Sequence, residues 1–143
     1  MTNRDIVLRK LTTMNEHRRR LQIRLDRRLE NVVPSADIDD AIAMSLLVCI
    51  QEVVDIASHI LTDEALTLPE SAAAATLALA QHGILPDNLA LQLAAMTALR
   101  NRIAHGYSQV DANRIVAELP SGLQALEQFA SAIVAYLDRG EVR

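Results

Sequence analysis

Eight consecutive residues, Arg100-Asn101-Arg102-Ile103-Ala104-His105-Gly106-Tyr107, concentrate most of the chemistry this chain can offer. They come as an apolar-periodic run (Leu89, Leu91, Leu93, Met96, Leu99, Ile103) ends, so they belong to the last turns of an expected helix. The chain has one Phe, two Tyr, no Trp and four His, and one of the tyrosines and one of the histidines fall here. The segment supplies a fixed cation, an imidazole that titrates near neutrality and a phenol. Such groups can bind and cleave a phosphodiester without a metal. Arg100 and His105 are five apart, about 140° around an ideal helix, and do not share a face. Asn101 and His105, four apart, do share one. Tightening of the helix end at Gly106 would swing His105 toward the Arg100 side. A bare Arg-x₄-His at a helix end is more simply explained as compensation of the macrodipole. Asn101, Arg102 and Tyr107 make this cluster denser than that role requires.

Other polar groups carry weaker signals. Asp55 and His59 are also four apart, and read either as an acidic group orienting a site or, more simply, as a helix-surface pair. A zinc site from Asp55, His59 and His105 lacks the supporting spacings: there is no HExxH, no CxxC and only one Cys. The four glycines, at 83, 106, 122 and 140, are too scattered for a phosphate loop. No strand-turn-helix context exists for a Ser/His/Asp triad. Arg18, Arg19, Arg20, Arg24, Arg27 and Arg28 form a basic band. Arg20, Arg24 and Arg27 or Arg28 fall at helical spacing, a stripe able to track a phosphate backbone or to meet an acidic protein. The simplest alternative is a solvated face.

The elements that must position these groups are helical. Half of the 143 residues are hydrophobic, mostly Ala, Leu, Ile and Val, which predicts an all-α fold. Residues 1–143 read as a single domain with enough chain for a core. A first helix is expected over 3–32, with Met14, Leu21, Leu25 and Leu29 on one stripe, and a break at Pro34-Ser35. A second, over about 37–61 with Ser35 or Asp37 as N-cap, is apolar over a wide arc and should be the most buried. Its two-residue separation from the first predicts antiparallel packing. A third, about 70–82, would hold Pro69 in its first turn, pack closely through Ala72 to Ala75, and stop at Gly83. The fourth starts near Asp87 and ends near His105, with Gly106 at C′. Asp111 would cap a fifth, interrupted or re-aimed at Pro120-Ser121-Gly122 and continuing to about Asp138.

Net charge is −4, but residues 1–30 carry a balance of +5 and the remainder −9. The chain is therefore no general polyanion binder, and its positive field belongs to one helix. The lone Cys49 points to a reducing compartment. The charged first residues do not read as a signal peptide, and no uninterrupted run of about 18 apolar residues occurs. A cytoplasmic location without membrane contact is expected.

The segment Leu99 to Tyr107, followed by Val110-Asp111, resembles the HepT-like branch of the HEPN superfamily. That branch carries Arg-x₄-His-x-Tyr with a polar residue after the Arg, and Arg100, Asn101, His105 and Tyr107 fill those positions. Asp55-Ile-Ala-Ser-His59-Ile looks like the family's second-helix signature, and Gly83-Ile-Leu-Pro86 like its link before the motif helix. Ala72 to Ala75 depart from the bulkier residues usual after Pro69. The resemblance implies an up-down bundle of four to five helices that dimerises, so that two Arg and two His line one cleft. It implies a metal-independent endoribonuclease toxin without cofactor. In it His105 acts as general acid or base, Arg100 holds the scissile phosphate, and Asn101 orients His105 or the phosphate. The expected partners are RNA, a second copy, and a small nucleotidyltransferase antitoxin that adenylylates Tyr107. Arg20, Arg24, Arg27, Arg28 and Arg102 are the candidate RNA contacts. The competing readings are a non-catalytic helical adaptor that binds nucleotide or a partner protein, and a plain structural bundle.

Overall fold

Five helices follow one another in the computed structural model, which describes residues 2–30, 35–105 and 109–142. Helices α1 (Arg4–Glu30) and α2 (Ala36–Asp63) are antiparallel, as expected. Asn3 N–H donates to Asp63 at 2.8 Å, Lys10 Nζ lies 3.5 Å from Asp55, and Arg28 Nε lies 2.8 Å from Asp39. Pro34 lies outside the described residues. Ser35 is the N-cap of α2, and its hydroxyl accepts from Ile38 N–H.

Helix α2 is the core helix. Ile42, Leu46, Ile50, Val53, Ile56 and Ile60 are all buried against its neighbours. Averaged over 18 residues its hydropathy reaches 1.7, enough by length and composition to cross a membrane. No uninterrupted apolar run marks this in the sequence, because Asp39, Asp40, Glu52 and Asp55 punctuate the helix. In this fold half of that window is buried inside the bundle, the behaviour of a central helix.

Helix α3 (Ala72–Gln81) starts later than expected. Ser71, not the neighbourhood of Pro69, supplies the N-cap, accepting from Ala74 N–H at 3.1 Å. A hydroxyl acceptor ends the unsatisfied first turn better than proline's fixed φ alone. Gly83, at φ +73°, closes the helix in the left-handed region as expected, with Ile84 N–H donating to Leu79 O at 2.9 Å. The small alanines let α3 approach α4 (Asp87–Ala104) closely: Thr76 Oγ1 donates to Ala90 O at 3.2 Å.

Helix α5 (Gln109–Val142) departs most from expectation. It begins before Asp111, so Asp111 is no N-cap, and it runs through Pro120 without interruption. Proline inside a helix costs about 3 kcal/mol through a lost bond and a clash with the preceding turn. Burial of Leu119, Leu123, Leu126, Phe129 and Ile133 on both sides outweighs it. Gln92 of α4 also clamps the turn, donating to Ser121 O at 3.2 Å and Ser121 Oγ at 2.8 Å. Side chains of all five helices join one hydrophobic cluster.

Candidate functional site

Leu89, Ala90, Leu93 and Met96 anchor α4 in the core, and Leu99 and Ile103 pack against its edge. Thr97 is buried with them, while Arg100, Asn101 and Arg102 are left half-buried or exposed. His105 is the C-cap, and its N–H still donates to Asn101 O at 3.1 Å. The helix keeps its α register to that point and does not tighten before it. Asn101 and His105 therefore share a face, and both are exposed.

Arg100 is half-buried and held from two sides. Its Nη2 donates to Asn101 Oδ1 at 3.2 Å, and its Nη1 donates to Gln51 Oε1 at 3.1 Å. The first contact draws the guanidinium across the helix surface toward the face that carries His105. Helix geometry alone leaves Arg100 and His105 about 140° apart; Asn101, whose position lies between them around the helix, is the side chain that Arg100 meets. Arg102 is exposed. Gly106 and Tyr107, and with them the expected C′ glycine and the exposed phenol, lie outside the described residues.

Gln51 was not among the candidates read from the sequence. Its Nε2 donates to Asp55 Oδ1 at 2.9 Å, while Asp55 Oδ2 lies 3.5 Å from Lys10 Nζ. Lys10 also lies 3.8 Å from Glu52. Burial pushes the Glu52 carboxyl above the usual range, opposed by Lys10 and reinforced by Asp55. Asp55 thus serves Gln51 and Lys10, not His59, in the hydrogen bonds and ion pairs of the described residues. The available signal was the four-residue spacing of Gln51 and Asp55, identical to that of Asp55 and His59. Among the described residues no three His, Cys, Asp or Glu side chains converge as metal ligands.

The basic stripe is divided. Arg24 turns into the seam between α1 and α2, donating to Ala41 O at 3.3 Å and to Ser45 Oγ. Arg28 pairs with buried Asp39 and donates to Asn113 of α5 at 3.1 Å. These two arginines hold helices together, so part of the stripe is engaged within the bundle. Arg20 and Arg27 remain exposed. Six large apolar side chains stand exposed among the described residues, Met44 at 60% and Leu91 at 62% among them. Seven residues return a helix to within about 20° of its starting face. Met44 therefore shares its face of α2 with Gln51, and Leu91, eleven residues before Arg102, shares that residue's face of α4.

The family described as Ribonuclease HepT-like matches residues 14–133. The mRNA nuclease HepT of Shewanella oneidensis is 27% identical over 131 residues, covering 92% of this chain and 98% of that protein. Among solved structures, the tri-AMPylated Shewanella oneidensis HEPN toxin in complex with MNT antitoxin superposes with a TM-score of 0.83 at 26% identity. It covers 93% of this chain and 99% of its own. A toxin-antitoxin structure with AMP-PNP gives a TM-score of 0.78 at 25% identity, covering 92% and 98% of the two chains.

Proposed function

Because the chain belongs to the HepT-like ribonuclease family, we propose that it is an RNA endonuclease and the toxin of a toxin–antitoxin pair. The observation that carries the reading is the seating of Arg100. Among the described residues, two of its five N–H donors are engaged, by Gln51 and Asn101, which fixes the plane of the guanidinium. The three that remain offer a fork to a phosphate. His105, exposed at the helix end, takes the proton of a ribose 2′-OH as that oxygen attacks phosphorus. The bond to the 5′-oxygen breaks, and a second imidazole returns a proton to it. The products are a 2′,3′-cyclic phosphate and a 5′-hydroxyl. Arg100 neutralises charge that builds on the phosphoryl oxygens. The 2′-OH requirement selects RNA over DNA. No step in this route needs a metal.

Two imidazoles require two copies of α4, so the working unit is a homodimer whose motif helices meet. Exposed Met44 and Leu91, on the helix faces of Gln51 and Arg102, suit that interface. The whole of 1–143 acts as one folding unit, in the cytoplasm. The inhibitory partner is a small nucleotidyltransferase that adenylylates Tyr107. Arg102, Arg20 and Arg27 remain as RNA contacts away from the reacting bond. The test is cleavage of mixed RNA by purified protein in EDTA, wild type beside His105→Ala. Wild type should cut, and His105→Ala should lose about a hundredfold or more. Strict metal dependence, or an undiminished His105→Ala protein, would remove this mechanism; a monomer mass by light scattering at micromolar concentration would remove the shared cleft.

A further inference from the structure

Gln51 is a neutral amide set between a carboxylate and the motif arginine. Its Nε2 faces Asp55 at 2.9 Å and its Oε1 faces Arg100 at 3.1 Å. We infer that Gln51 is a positioning residue for Arg100, one that aims the guanidinium without neutralising it. The inference rests on the nuclease reading, in which Arg100 must keep its charge for the substrate phosphate.

The polarity of the amide is fixed by its neighbours. Asp55, as a carboxylate, accepts only, so the amide must turn its NH₂ toward α2's next turn and its oxygen toward α4. Lys10, 3.5 Å from the other oxygen of Asp55, holds that carboxylate toward α1. Asp55, one turn beyond Gln51 on the same face of α2, is an anion that a flexible arginine would otherwise seek. A direct carboxylate–guanidinium pair is short, bidentate and strong, and would compete with phosphate for the same fork. Gln51 interposes a weaker, uncharged acceptor. It restricts the rotamers of a long side chain, yet leaves the positive charge uncancelled. The residue is exposed, so its replacement tests position more than fold.

The experiment compares wild type, Gln51→Leu and Gln51→Glu as full chains, with kcat and KM on one defined oligoribonucleotide measured from pH 5 to 8. Thermal melts check that all three fold alike. Gln51→Leu should lower kcat/KM about tenfold, the size expected for one partly screened hydrogen bond to a charged group. Gln51→Glu preserves shape but puts a carboxylate against Arg100, with Asp55, Glu52 and Lys10 as its other charged neighbours. Its loss at pH 8 should exceed that of Gln51→Leu. Relative to wild type it should recover as the pH falls and the introduced carboxyl becomes a neutral acceptor. A role in folding alone would give losses independent of pH. Wild-type kcat/KM in both variants, or a Gln51→Glu deficit constant across the pH range, would overturn the inference. If wild type does not cleave RNA, the nuclease reading fails separately. Nitrogen-15 spectra of the Arg100 guanidinium then decide: restricted Nη rotation in wild type that is lost in Gln51→Leu supports the positioning role, and identical spectra overturn it.

Discussion

Arg100 and Asn101 are consecutive, and their side chains meet: Arg100 Nη2 donates to Asn101 Oδ1 at 3.2 Å. Consecutive helical residues project about 100° apart, so the arginine must reach around the helix to make this contact. It does so toward the face that ends in His105. Asn101 therefore binds the cation of the motif on one side and shares a face with its imidazole on the other. Among the described residues the amide oxygen meets Arg100, and the NH₂ is the group of Asn101 that would donate to a phosphate oxygen or to His105.

This geometry ranks three substitutions. Asn101→Ala should slow cleavage about tenfold, because Arg100 keeps its Gln51 contact but loses the second restraint. Asn101→Asp should be worse at neutral pH, since a carboxylate would pair with the guanidinium and repel the substrate. Arg100→Lys should lose about a hundredfold or more, as an ammonium cannot form the planar fork. Single-turnover cleavage of one oligoribonucleotide measures all three. Equal rates for Asn101→Ala and Asn101→Asp would break the link between this contact and the charge on Arg100.

Arg28→Ala should destabilise the fold by roughly 3 kcal/mol, the cost of leaving a buried carboxylate without its main cation. Asp39 is only 5% exposed, and Arg28 ties it to α1 while also reaching Asn113 of α5. Asp39 keeps further interactions, which places the loss at the lower end of the usual range. For a chain of this size the melting temperature should fall by about ten degrees. The folded fraction should retain its KM for RNA. A raised KM with unchanged melting would instead return Arg28 to the RNA interface.

What could be read along the chain was local. Apolar spacing gave α1, α2 and α4 nearly to their ends, and Ser35 and Gly83 act as the stops their chemistry suggests. Pro120 misled because its penalty is local while its compensation, the burial of Leu119 through Ile133, is tertiary. The intramolecular partners of Arg24 and Arg28 were hidden for the same reason: helical spacing puts them on a stripe, but only the docking of α2 shows that the stripe is partly covered. Gln51 has no motif to announce it. Its role exists only once α4 delivers Arg100, and α1 delivers Lys10, to the same stretch of α2.

Acid should loosen the end of the bundle where α1 begins and α5 ends. Glu64 accepts from Tyr136 Oη and from Thr2 Oγ1, each at 2.8 Å. These two donors, Tyr136 foremost, hold the Glu64 carboxyl below its usual range. A depressed carboxyl contributes stability that is present above the unfolded value, about 4.3, and lost as pH falls through the folded value. Burial, more than the nearby carboxylate, raises the Tyr136 phenol, so it stays a donor throughout this range. Melting temperatures between pH 6 and 3 should therefore fall more steeply in wild type than in Tyr136→Phe. Parallel curves would remove Glu64 from the acid response.

Tyr107 is the residue on which regulation should turn. It follows His105 by two positions, and Gly106 between them offers a break in the helix, although both lie outside the described residues. A phenol two positions after His105 in the sequence is the expected acceptor of a bulky anion that Arg100 and His105 would then hold. An adenylate there would occupy the phosphate position by charge and by volume at once. The tri-AMPylated state of the Shewanella oneidensis HEPN toxin, seen in complex with MNT antitoxin, is in keeping with this. Co-expression with the cognate nucleotidyltransferase should add adenylate mass to the tryptic peptide that contains Tyr107, and cleavage should stop. Tyr107→Phe should still cut RNA, since the phenol has no part in the proton transfers, yet escape covalent silencing. An unmodified wild-type protein after co-expression, or a Tyr107→Phe protein silenced through an adduct on another residue, would transfer the regulatory role away from Tyr107.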